Sequence, residues 1–145
     1  MRPLAVLSWL VFLAASAGGA RAADWDHDAN ISGGVEALVA AYRAGGIDFA
    51  AGLSRACYAS IDGAGEPDVQ LQRLEYCAGI DFSGYLLDRR DAEANGTPRS
   101  EFFSSQMLML RLEKLEEFIP DPGAQQRILR AWGSATADAL QKQLQ

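Results

Sequence analysis

The chain has 145 residues and a formal net charge of −6, with 49% hydrophobic and 22% charged residues. A chain of this length can form one domain with its own hydrophobic core. Its acidity disfavours nucleic acids and anionic lipids as partners, because they carry charge of the same sign, whereas a basic protein would be attracted.

Residues 1–22 have the composition of a secretory signal peptide. Arg2 gives a positive start, the apolar run 4–17 follows, and Ala20 and Ala22 form the small-residue pattern that precedes a cleavage site. The apolar run is shorter than the roughly 20 residues that span a bilayer, which disfavours an uncleaved membrane anchor. We predict cleavage after Ala22, leaving an exported protein without a membrane span, either periplasmic or secreted. The alanine-rich signal favours a bacterial periplasm.

The next segment, 23–31, is polar and acidic, and we predict that it is a flexible leader. Asp24, Asp26 and Asp28 alternate along it as do the first oxygen ligands of an EF-hand calcium loop. The pattern is incomplete, because alanine stands where the loop needs glycine and valine where it needs a bidentate glutamate. No cofactor is therefore expected, and calcium binding by the leader is kept as an alternative.

The remaining chain, 32–145, carries apolar residues at the spacing of amphipathic helices, with glycine or proline between the helical stretches. We predict an all-α fold, a single-domain bundle of about five helices in which the third and fourth form the main hairpin. The predicted helices cover 32–44, 49–61, 67–94, 98–119 and the stretch from 122 onward. No segment alternates apolar and polar residues as a half-buried strand does.

Two cysteines, Cys57 and Cys77, are present in the whole chain. An even pair in an exported protein predicts a disulfide, here between the second and third helices. A metal site would need further thiolate or imidazole ligands, and the C-x-x-C spacing of a redox couple is absent. The bridge would close a loop of about 21 residues, for which chain entropy gives on the order of 3 kcal/mol.

Asp81 falls on the predicted buried stripe of the third helix, one turn after Cys77. A buried carboxylate requires hydrogen-bond donors. The candidate donors are Arg55, Tyr85, Arg111, Lys114 and the free N–H groups of another helix's first turn. A structural ion pair or helix cap is the favoured interpretation, and a partner contact, a catalytic role or a metal ligand are the alternatives.

The sequence gives little support for a catalytic function. The single histidine, His27, belongs to the leader, and both cysteines are expected to be oxidised, so no nucleophile has a base beside it. Asp81 and Asp88 share a face of the third helix about 10 Å apart, a spacing compatible with inverting acid–base hydrolysis. Such chemistry also needs a cleft. The charged run 88–91 is expected to be a solvated face with local ion pairs.

The fourth predicted helix is apolar over a wide arc that includes Met109 and Phe118. It is either the central helix of the bundle or a helix with an exposed partner-binding stripe, and central packing is the favoured interpretation. The stretch 111–118 also has the spacing of a short coiled-coil seam, which would suit a homodimer.

Together these patterns predict a small exported binding protein that acts through protein–protein contact, as an inhibitor, an immunity-type protein or an accessory factor. Calcium binding and carboxylate-dependent hydrolysis remain alternatives. The candidate partner-binding or structural polar positions are Asp81, Tyr85, Asp88, Met109 and Phe118.

Overall fold

The computed structural model describes residues 25–145, and within them it confirms the predicted all-α class, with no β-strand. The elements are α1 (His27–Ala59), α2 (Pro67–Asn95), α3 (Ser105–Leu112), a 3₁₀ helix (Glu113–Glu117) and α4 (Pro122–Gln143). None of these helices is long and apolar enough to cross a membrane. The predicted signal peptide, 1–22, and Asp24 lie outside the described residues.

The helix count is four, fewer than the five or so predicted, because the first two predicted helices are joined into α1. The break expected at Gly45 and Gly46 is a kink of two residues with non-helical backbone. Gly46 has φ +70°, a left-handed conformation that glycine adopts without steric cost. The chain therefore changes direction there and resumes the helix at once.

The start of α1 lies inside the segment predicted to be a flexible leader. The Asp26 side chain accepts a hydrogen bond from the Ala29 N–H at 2.9 Å and caps the helix. Ile31 is only 1% exposed and belongs to the core. The polar composition of this segment gave no indication of a capped first turn. The helical domain therefore begins several residues before the predicted boundary at 32.

The start of α3 is also displaced, from the predicted 98 to Ser105. In the irregular connection 96–104, the Phe103 side chain is fully buried. It packs on the backbone at Gly84, where an added Cβ would lie 2.2 Å from the ring. The side chain of Ser104 then accepts from the Met107 N–H at 3.3 Å and begins the helix. Insertion of Phe103 into the core thus takes precedence over the local sequence, which predicts a helix from residue 98.

The central helix of the bundle is α2, and its most extensive partner is α1, so the predicted third–fourth hairpin is not the main one. The two helices cross at Gly34 and Gly79, where an added Cβ would lie 2.3 Å from the Tyr76 carbonyl oxygen and 2.8 Å from that of Ile31, respectively. The absence of side chains lets the backbones touch. The predicted disulfide is confirmed, with Cys57 and Cys77 Sγ atoms 1.98 Å apart and Cα atoms 5.7 Å apart.

Candidate functional site

Asp81 lies where α1, α2 and α3 meet, and it is fully buried. Arg111 donates to its carboxylate through Nε at 2.6 Å, and Ser54 donates through Oγ at 2.5 Å. Of the donors considered from the sequence, Arg111 on the following helix is the one that contacts Asp81. The buried hydroxyl of Ser54 was not foreseen, because nothing in its local sequence indicates that it faces α2.

The environment of Asp81 opposes its charge. Burial raises the pKa of the Asp81 carboxyl above its ordinary value of 3.8, and the hydrogen bonds and charge of Arg111 act against that rise. Burial, followed by the charge of Asp81, also raises the pKa of the Tyr58 phenol well above 10.0. The Tyr58 hydroxyl is buried without a well-formed hydrogen bond to the residues described. These groups are enclosed by protein, and the cluster ties three helices together.

Arg111 also fixes the position of Phe102 in the connection before α3. Its Nη2 donates to the Phe102 carbonyl oxygen at 3.0 Å, and its Cζ lies 4.1 Å from the centroid of the Phe102 ring. A second guanidinium, that of Arg55 on α1, lies over the same ring with its Cζ at 4.6 Å. Cation–π attraction favours both placements.

A shallow groove of about 380 Å³ opens beside this ring. Its lining residues are Arg55, Ser100, Glu101, Phe102 and Met107. Arg55 is exposed and makes no ion pair with any carboxylate in residues 25–145. We call this depression the Arg55 groove.

Asp88 is buried, contrary to the solvated position predicted for the charged run. Its carboxylate accepts the Ser100 N–H at 3.0 and 3.1 Å and approaches Arg99 Nε at 3.4 Å. The fold places Asp88 under the 96–104 connection, where it supplies an acceptor that the irregular backbone lacks. Arg89 makes the local pair expected of this run, with Glu93 at 2.8 Å.

The ring of Tyr85 is half-buried beneath the same connection. The Arg99 Cζ lies 4.8 Å from its centroid. Tyr85 therefore contacts Arg99, and among the residues described it makes no hydrogen bond to Asp81. The carboxylates of Asp81 and Asp88 are each occupied by protein donors, so this geometry does not favour the hydrolase alternative, which stays a prediction.

The exposed side of α3 carries two large apolar side chains, Met109 at 50% exposure and Leu110 at 54%. Only Leu108 and Leu112 of this helix are buried, so α3 is a surface helix and central packing is the wrong alternative. Phe118, the other apolar candidate, is half-buried against the core.

Glu75 is the third buried carboxylate on α2, and its burial was not predicted from the sequence. His27 Nδ1 lies 2.8 Å from its Oε1, and Trp25 donates to it through the indole N–H. Asn30 donates to the neighbouring Gln72 carbonyl oxygen at 2.8 Å and approaches Glu75 at 3.4 Å. The histidine that was predicted to lie in a flexible leader is thus held at the protein surface by a buried carboxylate.

Two of the three calcium candidates lie at the start of a helix and not in a loop. Asp26 caps α1, and Asp28 is exposed in its first turn. Among residues 25–145 no cluster of three or more histidine, cysteine or acidic side chains could hold a metal ion. Asp24, the third candidate, is not among the residues that the structure covers.

The described surface thus offers an exposed apolar helix face beside a groove with an unpaired guanidinium, which is an arrangement suited to binding. Comparison of the chain with known protein families, with curated proteins and with solved structures finds no match in any of the three.

Proposed function

We propose that this protein is an exported, periplasmic or secreted, binding protein that acts through protein–protein contact, with α3 as the contact helix. The observation that carries the proposal is the exposure of Met109 and Leu110, half of whose surface remains in contact with solvent. Neighbouring large apolar side chains on one helix face are typical of recognition surfaces. Methionine suits such a face because its flexible thioether adapts to a partner.

The solvent-facing side of α3 defines the surface, which we call the α3 face. Gln106, Met109 and Leu110 of α3 are exposed, as is Glu113 at the start of the 3₁₀ helix. Residues three and four apart are neighbours on a helix. The buried side, through Leu108 and Leu112, fixes the helix to the core. The α3 face is therefore held in place before a partner binds.

Charge around the α3 face indicates the kind of partner. Glu113 and Glu116 are exposed and have no ion-pair partner among the residues described. Lys114, the nearby cation, is held by Asp62 at 2.6 Å and Glu117 at 2.8 Å. An apolar segment with basic residues at its edge would complement this surface.

Export is supported by the Cys57–Cys77 disulfide, because such bonds persist in oxidising compartments. It is supported independently by the sequence of residues 1–22. Both features are compatible with a partner met outside the cytoplasm.

Site-specific photo-crosslinking tests the proposal. A photoreactive residue at Leu110 should capture a defined partner from periplasmic extract, and the same residue at Val69, exposed to 45% on α2, should not. In the double variant Met109→Ser with Leu110→Ser, the photoreactive residue is moved to a third position near α3. Capture of the partner should then be abolished, and the melting temperature should not change. Equal capture from Leu110 and Val69, or capture that survives the double substitution, would contradict the proposal.

A further inference from the structure

We infer that the Arg55 groove recognises a carboxylate carried beside an apolar group, supplied by the peptide chain of the partner. This inference rests on the proposed function, because the groove continues the α3 face. Met107 lines the groove, and Leu110 lies three residues further along the same helix. A peptide that crosses the α3 face would therefore enter the groove.

The guanidinium of Arg55 is the reason for assigning a carboxylate. It is a permanent cation on an acidic protein, yet no carboxylate among residues 25–145 pairs with it. A planar guanidinium binds a carboxylate through two parallel hydrogen bonds and keeps its stacking on an aromatic ring while doing so. Arg55 is thus already oriented over Phe102, with its hydrogen-bond donors available.

The floor of the groove is preorganised by buried groups. Arg111 is fixed by Asp81 at 2.6 Å and by the Phe102 carbonyl oxygen at 3.0 Å, and it lies over the Phe102 ring. Phe103, next in the chain, is fully buried and meets the Phe102 ring edge-on at 4.9 Å between centroids. The ring therefore does not need to be ordered by the ligand, which lowers the entropic cost of binding.

The apolar part of the ligand has its own surface in Phe102 and Met107. Glu101 is exposed at the edge of the groove and repels a second carboxylate. A ligand with one carboxylate next to one apolar side chain fits this distribution of charge, whereas a polyanion does not. The groove volume of about 380 Å³ is large enough for one such side chain with its adjoining backbone.

Two small probes distinguish the contribution of the carboxylate to binding from that of the ring. N-acetyl-phenylalanine has both, and N-acetyl-phenylalanine amide keeps the ring and loses the charge. In a titration of the labelled protein followed by NMR, the acid should shift the signals of Arg55, Phe102 and Met107 and bind roughly fivefold or more tightly than the amide. Equal affinities for acid and amide, or shifts confined to other surfaces, would overturn the inference.

A matched pair of arginine variants tests the assigned residue. Arg55→Met keeps the aliphatic stem over Phe102 and should remove the preference for the acid, while Arg130→Met on the exposed side of α4 should preserve it. Persistence of the acid preference in Arg55→Met would also overturn the inference. Partner crosslinking from Leu110 reports on the proposed function separately, so the loss of one result is distinguishable from the loss of the other.

Discussion

Asp81 and Glu75 are both fully buried carboxylates on α2, but their hydrogen-bond partners differ in charge and in origin. Asp81 receives a permanent cation from Arg111 on α3 and a hydroxyl from Ser54 in the second half of α1. Removing one partner of such a pair disturbs three helices, because the unpaired charge stays buried among them.

Glu75 depends on donors from one short segment at the start of α1. Trp25, His27 and Asn30 all contact it, and none of them carries a permanent charge. His27 is exposed over 61% of its side chain, so this cluster borders solvent. Opening it requires only the first turns of α1 to separate from α2. We therefore expect changes at Asp81 to lower the global stability, and changes at Glu75 to promote local opening of the N-terminal end.

Replacing Arg111 with methionine should have the largest effect on this comparison. It leaves Asp81 buried without a cation, and breaking a buried pair from one side costs about 3–5 kcal/mol. Urea denaturation followed by circular dichroism measures the loss. Arg130→Met, at an exposed position on α4, is the control and should change the free energy of unfolding by less than about 0.5 kcal/mol.

The double variant Arg111→Met with Asp81→Leu distinguishes a charge effect from lost packing. Neither charge remains in it, so most of the stability lost in the single variant should return. A double variant no more stable than Arg111→Met would show that the pair does not dominate the energetics of this region.

Replacing Trp25 with phenylalanine should have an intermediate and local effect. The ring remains, but the indole N–H that donates to Glu75 is removed, which costs about 1–2 kcal/mol. Hydrogen exchange should accelerate in the first turns of α1 and stay nearly unchanged near Ser54. Uniform acceleration along α1 would mean that the N-terminal cluster belongs to the global unfolding unit.

The smallest expected effect is a pH dependence that belongs to Asp81. Because its pKa is raised above 3.8, the folded protein binds this proton more tightly than the unfolded chain does. The contribution of Asp81 to the free energy of unfolding is therefore greatest below pH 3.8 and falls as the pH rises from there through the pKa of the folded form.

Asp81→Asn removes the titrating group and should remove that fall. Urea midpoints of both proteins measured from about pH 3 to pH 7 report the difference in slope, apart from any constant offset caused by the substitution. Parallel curves would contradict a raised pKa at Asp81.

The helical class, the disulfide and the covered position of Asp81 were predictable because they depend on spacing within the chain. Apolar residues one turn apart determine which face of a helix is buried, and Cys77 and Asp81 lie on the same face. Two cysteines allow one pairing. The participation of Arg111 was within the predicted set because few cations lie on the neighbouring helices.

The N-terminal cluster and the start of α3 were not predictable because they depend on distant residues. Trp25 and His27 meet Glu75 across 50 and 48 positions of sequence, and no local pattern links them. Phe103 prevents a helix from starting at 98 only because Gly84 leaves room for its ring on α2. Met109 is exposed because α2 is the central helix of the bundle, whereas the sequence predicted that the fourth helix would be central.

The crossing at Gly34 and Gly79 has a mechanical consequence when it is considered together with the disulfide. The first half of α1 contacts α2 where the two backbones touch, and the second half is linked covalently to α2 through Cys57. The bend at Gly46 lies between the backbone contact and the disulfide. Bending at Gly46 would have to separate one of these two contacts, so we expect α1 and α2 to move as one unit that supports the α3 face.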